Sequence, residues 1–145
     1  MQVSDFEKAL GCLLAVREER SNGVNGMLGV LFILRNRSLS DGQGFPRGWL
    51  ANIEGHNQFS SMTVIGDSQT VYYPDPREPN FQRVLQLVDG VYDNSMADAL
   101  TQGALYYADL GSKAYNHGGW FDRNIVGRPD VHPRVAQIGT TTYFK

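Results

Sequence analysis

The chain is poor in cysteine, poor in histidine, and without a long apolar run. Cys12 is the only cysteine, so no intrachain disulfide can form. That fits a reducing birthplace and leaves export open. The three histidines, His56, His117 and His132, share no helical spacing, and neither HxxxH nor CxxC occurs. Neither a metal site nor a cofactor is therefore expected. The longest apolar stretch, residues 27–34, is far short of the roughly 20 residues that a membrane helix needs. Basic residues number 13 against 15 acidic and are scattered, so no basic stripe suggests a nucleic-acid partner. Residues 23–29 hold no Lys and no GK[ST], which excludes a phosphate loop. Ser60 and Ser61 lie near His56, but no nucleophile-elbow pattern surrounds them.

What is present centres on residues 17–37. A charged knot, Arg17-Glu18-Glu19-Arg20, leads through an Asn/Gly turn into residues that are almost wholly apolar. A helix apolar all round belongs inside a domain. The first helix is expected over residues 4–20, opened by the capping box Ser4-Asp5-Phe6-Glu7. Its apolar stripe reads Phe6, Ala9, Leu10, Leu13 and Leu14. Glu18 falls on the flank of that stripe, and Glu19 points towards solvent. A carboxylate near a helix C-terminus is ordinarily solvated, yet it opposes the macrodipole there. Glu18 also crowds Glu19 and precedes a helix that must be buried. Both conditions favour a protonated acid.

The central helix is expected over residues 24–36, and a Pro-started short helix near Trp49. Residues 59–65 and 70–73 read as a hairpin turning at Gly66-Asp67. A helix capped by Asn80 carries Phe81, Val84, Leu85, Val88, Val91 and Tyr92 on one stripe. Residues 104–107 read as extended, 108–133 as loop, and 135–144 as a closing strand. The whole chain, 1–145, is expected to form one domain. Its class is α+β, mainly helical, with a small antiparallel element.

Four pieces of the sequence resemble the SleB-type cell-wall hydrolases, the catalytic domain of spore-cortex-lytic enzymes. Glu18, Arg20, Gly26, Val30, Asn36 and Arg37 fall on the family's opening motif, apolar helix and Asn-Arg pair without a gap. Phe45-Pro46 and Gln58-Phe59-Ser60 follow in order. Asp98, Thr101, Gly103, Ala104, Leu105, Tyr106 and Tyr107 match the next motif, and Ile138-Gly139 with Tyr143-Phe144 match the close. The chain departs from the family at Glu19, Ser21, Asn22 and Thr141. Residues 72–79 and 113–132 match nothing in it.

The resemblance implies a lysozyme-like fold that cleaves the MurNAc–GlcNAc β-1,4 bond of peptidoglycan glycan strands. Glu18 would be the catalytic acid, and lytic transglycosylation with one Glu as acid and base would leave a 1,6-anhydro-muramyl end. Gln58, Ser60, Thr101 and Tyr106 would bind substrate. Asn36 and Arg37 are expected to bond backbone or a carboxylate, Phe59 and Tyr107 to lie in the core. Trp49 and Trp120 would stack on sugars, fill the core or form a lid. No local context marks Glu54, Asp67, Asp98 or Asp122 as the second acid of a two-carboxylate glycosidase. Such a protein acts at the wall, in the periplasm or outside the cell. No secretion signal is visible in Met1-Gln2-Val3-Ser4-Asp5. Phage lysis, delivery by a secretion system and a trimmed exported precursor all fit. The alternative is a non-catalytic glycan- or protein-binding module on the same fold.

Overall fold

A computed structural model describes residues 3–41, 43–55 and 58–145. The chain is α+β: helices build the core, and a three-stranded antiparallel sheet closes one side. Helix α1, Asp5–Glu19, opens with the expected capping box, Glu7 N–H donating to Ser4 Oγ at 3.2 Å and Ser4 N–H to Glu7 Oε2 at 2.8 Å. A single 3-10 turn, Arg20–Asn22, joins it to α2, Gly23–Leu39. Gly23 takes φ +70°, a conformation that only glycine adopts freely.

Helix α2 is the centre of the molecule, with residues 26–35 buried on every side. It packs against α1 and against α5, Pro79–Tyr92. Val84, Val88 and Val91 of α5 face the core. Leu85, expected beside them, is 40% exposed. Pro79 occupies the first turn of α5, so the cap moves back one residue before it. Glu78, not Asn80, accepts the N–H groups of Asn80 and Phe81. Helix α3, Trp49–Glu54, buries Trp49 completely.

The hairpin expected over residues 59–73 does not form. That segment holds a helical turn, α4, Ser60–Thr63, and a 3-10 turn, Ser68–Val71. The reason lies in α1. The buried Arg17 guanidinium donates to the carbonyls of Ser61, Thr70 and Tyr72 at 3.1, 2.8 and 3.0 Å. These are acceptors that a strand partner would otherwise have taken. Asp67 also caps the N–H of Gln69 at 2.8 Å. His56 lies outside the described residues.

The sheet comes from later residues: β1, Tyr106–Ala108, β2, Arg134–Ile138, and β3, Thr141–Phe144, in the order β1-β3-β2. The closing strand is thus a hairpin, turned at Gly139 with φ +56°. Residues 108–133, read as loop, contain one π turn, Asp122–Val126. Among the described residues no helix is long and apolar enough to cross a membrane.

Candidate active site

Glu18 sits in the last turn of α1, where two cavities meet. The larger has a volume of about 1020 Å³ and aromatic walls that include Phe45, Tyr106, Tyr107, Trp120 and Phe121. The smaller, about 450 Å³, is lined by polar side chains such as Arg20, Asn22, Asp67, Gln69 and Thr140. Glu18, Glu19, Ser60, Asp109, Ser112 and Ala114 border both.

The Glu18 carboxyl is held from both sides. Ser61 Oγ donates to Oε1 at 2.5 Å and the Tyr107 hydroxyl to Oε2 at 3.0 Å. Burial nonetheless pushes the Glu18 carboxyl above its ordinary range, outweighing these two bonds. Asp67 adds to the rise through its charge, and Arg37 opposes it. The Arg37 guanidinium is itself buried, donating to Leu105 O at 2.7 Å and to Gln58 Oε1 at 3.3 Å. Phe45 and Phe59 present their ring faces to it at 4.8 and 5.0 Å.

Glu19 does not face solvent; it is 5% exposed. Phe6, which anchored the expected stripe, is 66% exposed, while Cys12, Ala15 and Val16 are buried. Leu14 of the expected stripe is fully buried and Leu10 packs on the core. The buried surface of α1 nonetheless extends round the helix through 12, 15, 16 and 19, so Glu19 is carried inward by helical spacing. Thr141 Oγ1 donates to its Oε1 at 2.8 Å and Asn22 Nδ2 to its Oε2 at 2.6 Å. Burial raises the pKa of Glu19 as well, against these two bonds.

Gln58, Ser60 and Tyr106 border the larger cavity with Glu18. Thr101 does not join them. It is fully buried, and its hydroxyl donates to Asp98 Oδ2. Asp98 also accepts from Asn36 Nδ2 at 3.0 Å, Thr101 N–H at 2.7 Å and Gly103 N–H at 2.9 Å. Burial alone would raise the Asp98 carboxyl, but these donors hold it below its ordinary range. Thr101 thus fastens the approach to β1 onto α2, and the substrate contact expected of it is replaced by a structural one. Asn36 and Arg37 bond backbone and carboxylate, as expected.

Ser61 and Tyr107, the two donors to Glu18, are residues whose contact with the acid sequence reasoning missed. Ser61 turns inward only because residues 60–63 are helical. Tyr107 stacks on Tyr143 with ring centroids 5.9 Å apart, as a core residue would, but its hydroxyl reaches past that contact. Asp109, which borders both cavities, was also missed; it follows β1 directly. Among the described residues no group of three or more His, Cys, Asp and Glu side chains could hold a metal ion. In comparisons with known proteins the chain matches no family model, no curated protein and no solved structure.

Proposed function

We propose that the protein cleaves peptidoglycan glycan strands at the MurNAc–GlcNAc β-1,4 bond, on a lysozyme-like fold, with Glu18 as the general acid. The observation that carries this reading is the state of one carboxyl group. Glu18 opens on a cleft large enough for sugars, and burial favours its protonated form over the ionised one. An acid that keeps its proton can deliver it to a leaving glycosidic oxygen. As the C1–O bond breaks, that oxygen takes the proton and leaves as an alcohol. The Glu18 carboxylate then takes the proton of the muramyl 6-hydroxyl as that oxygen attacks C1. The bond formed is the 1,6-anhydro bridge, and Glu18 is protonated again. Attack by water in place of the 6-hydroxyl would give hydrolysis.

The sequence departures support this reading over a binding module that has lost its chemistry. Glu19, Asn22 and Thr141 are three of the four departures, and they form one hydrogen-bonded group. They are partners of one another, and Glu18 has separate donors in Ser61 and Tyr107. The polar residues bordering the cleft, Gln58 and Ser60, have the donors and acceptors that N-acetyl and hydroxyl groups require. Tyr106 adds an aromatic face.

Digestion of purified peptidoglycan tests the proposal. Released muropeptides ending in anhydro-muramic acid, lighter by one water than the reducing-end products of hydrolysis, are expected. Intact glycan strands after prolonged incubation would leave only the binding-module reading.

A further inference from the structure

The segment that matches nothing in the resembled family, residues 113–132, supplies one wall of the larger cavity. We infer that Trp120 on that wall is a stacking platform for one pyranose ring of a glycan strand, on the aromatic side of Glu18. This inference rests on the cell-wall reading for the identity of the glycan, and on geometry for the rest.

The turn that carries Trp120 is tightly cross-linked. Asp122 accepts from the Tyr115 hydroxyl at 2.9 Å and from Gly118 N–H at 2.9 Å. Asn124 Nδ2 donates to the Trp120 carbonyl at 2.8 Å. Ile125 is buried, and the Phe121 ring meets Phe144 edge-on at 5.9 Å. These side chains are therefore spent on holding the turn. The Trp120 side chain is not: it is 62% exposed and borders the cavity. A rigid backbone that displays a large aromatic into a concave site meets the main condition for low-cost recognition, since little is left to order on binding. Pyranose rings present C–H faces that pack on an aromatic face, with polar groups at the ring edge. Ser112 and Asn116 border the same wall and offer groups for that edge. Among the described residues, the polar cavity on the other side of Glu18 has no aromatic lining. The groove is thus two-sided, and the stacked ring lies on one defined side of the cleaved bond.

The chain has only two tryptophans, and Trp49 is fully buried, so Trp120 reports alone on the solvent side. The experiment titrates the Glu18→Gln protein, which holds glycan without turning it over, with chitotetraose and with soluble uncross-linked peptidoglycan strands. Tryptophan emission and acrylamide quenching are read together with the dissociation constant by calorimetry. A saturable emission change with protection from quenching is expected. Adding Trp120→Ala should abolish that change and weaken binding about tenfold, while Trp120→Phe should fall between. Unchanged melting temperatures would show that the variants fold. Equal binding with and without Trp120 overturns the platform while leaving the cleft reading intact. Binding through Trp120 by a wild type that cleaves no peptidoglycan keeps the platform and removes the catalytic reading. No binding of either glycan overturns both.

Discussion

Tyr107 and Glu18 meet at 3.0 Å although 89 positions separate them in the chain. The contact ties the first strand of the sheet to the last turn of α1. With Ser61 on the other oxygen, it fixes the carboxyl in one orientation. Both bonds favour the ionised acid, and burial opposes them. Proton affinity at Glu18 is thus a balance between a hydrophobic setting and two hydroxyl donors.

Removing a donor should tip that balance in a known direction. Tyr107→Phe takes away a bond that lowers the Glu18 pKa, so the pKa should rise further. The alkaline limb of the pH–rate profile, where the acid loses its proton, should move to higher pH. Ser61→Ala should do the same. Loss of orientation should cost each variant activity at the optimum. A profile of peptidoglycan turnover against pH checks this; an alkaline limb that moves down would contradict the balance described.

The Thr141–Glu19 bond gives a contrasting expectation. Thr141→Val leaves a buried carboxylate oxygen without that donor. Stability should fall by about 1–3 kcal/mol in denaturant titration. Activity per folded molecule should stay unchanged, because Glu18 keeps its partners. Glu19→Gln should likewise leave turnover within a few-fold.

Close packing of α2 on the sheet makes Gly29 a sensitive position. An alanine Cβ there would collide with the Tyr143 hydroxyl and lie 3.0 Å from its Cζ. Better helix propensity favours alanine by about 0.5–1 kcal/mol. Overpacking typically costs about 1–3 kcal/mol, so the clash should win. Gly29→Ala should lower the denaturant midpoint, and Leu31→Ala, at a fully buried site, should lower it by about 2–5 kcal/mol.

The core was readable from the sequence because its signal is local. Residues 27–34 are apolar on every side, and no exposed helix tolerates that. Glu18 drew attention as a carboxylate in the turn that leads into that helix. The burial of Glu19 was not legible. The apolar pattern of α1 marks one face through Leu14, whereas tertiary packing buries that residue and the adjacent Cys12 face as well, with Phe6 at the start of the stripe left exposed. Residues 59–73 misled because Arg17, more than 40 positions away, satisfies their carbonyls. Pattern-reading along the chain cannot see such a donor. Tyr107 read as core because an aromatic in a short strand usually is; its hydroxyl's partner lies 89 positions away in the chain.

Cys12 offers a check on that buried face. It is fully buried, and burial pushes its thiol up to about 12. The thiolate is the reactive form, so the native protein should resist alkylation at neutral pH. Reaction should begin only in denaturant. Rapid native labelling would mean that α1 packs on a different face.

Glu18→Gln joins the chemistry to the stability. Glutamine keeps the shape of the side chain and one acceptor, but it has no proton to give. Positioned acid catalysis typically contributes about 10²–10⁴-fold, so turnover should fall by that order. The sign of the stability change follows from linkage. In the unfolded chain a glutamate ionises near 4.5, whereas burial keeps the native Glu18 protonated to higher pH. From about that value upward the native state binds more protons than the unfolded state, so wild-type stability falls as pH rises. The fall ends once pH passes the native pKa. Glutamine has no such titration. The melting temperatures of wild type and Glu18→Gln should therefore lie closest in acid and separate towards neutral pH, with the variant the more stable. Thermal melts across that range, run beside peptidoglycan digestion, read both effects. An active Glu18→Gln together with an inactive Glu19→Gln would transfer the acid's role to the neighbouring carboxyl. If both variants digest a wall that wild type digests, the acid lies elsewhere in the cleft, and Asp109, which borders both cavities, is the next carboxyl to replace.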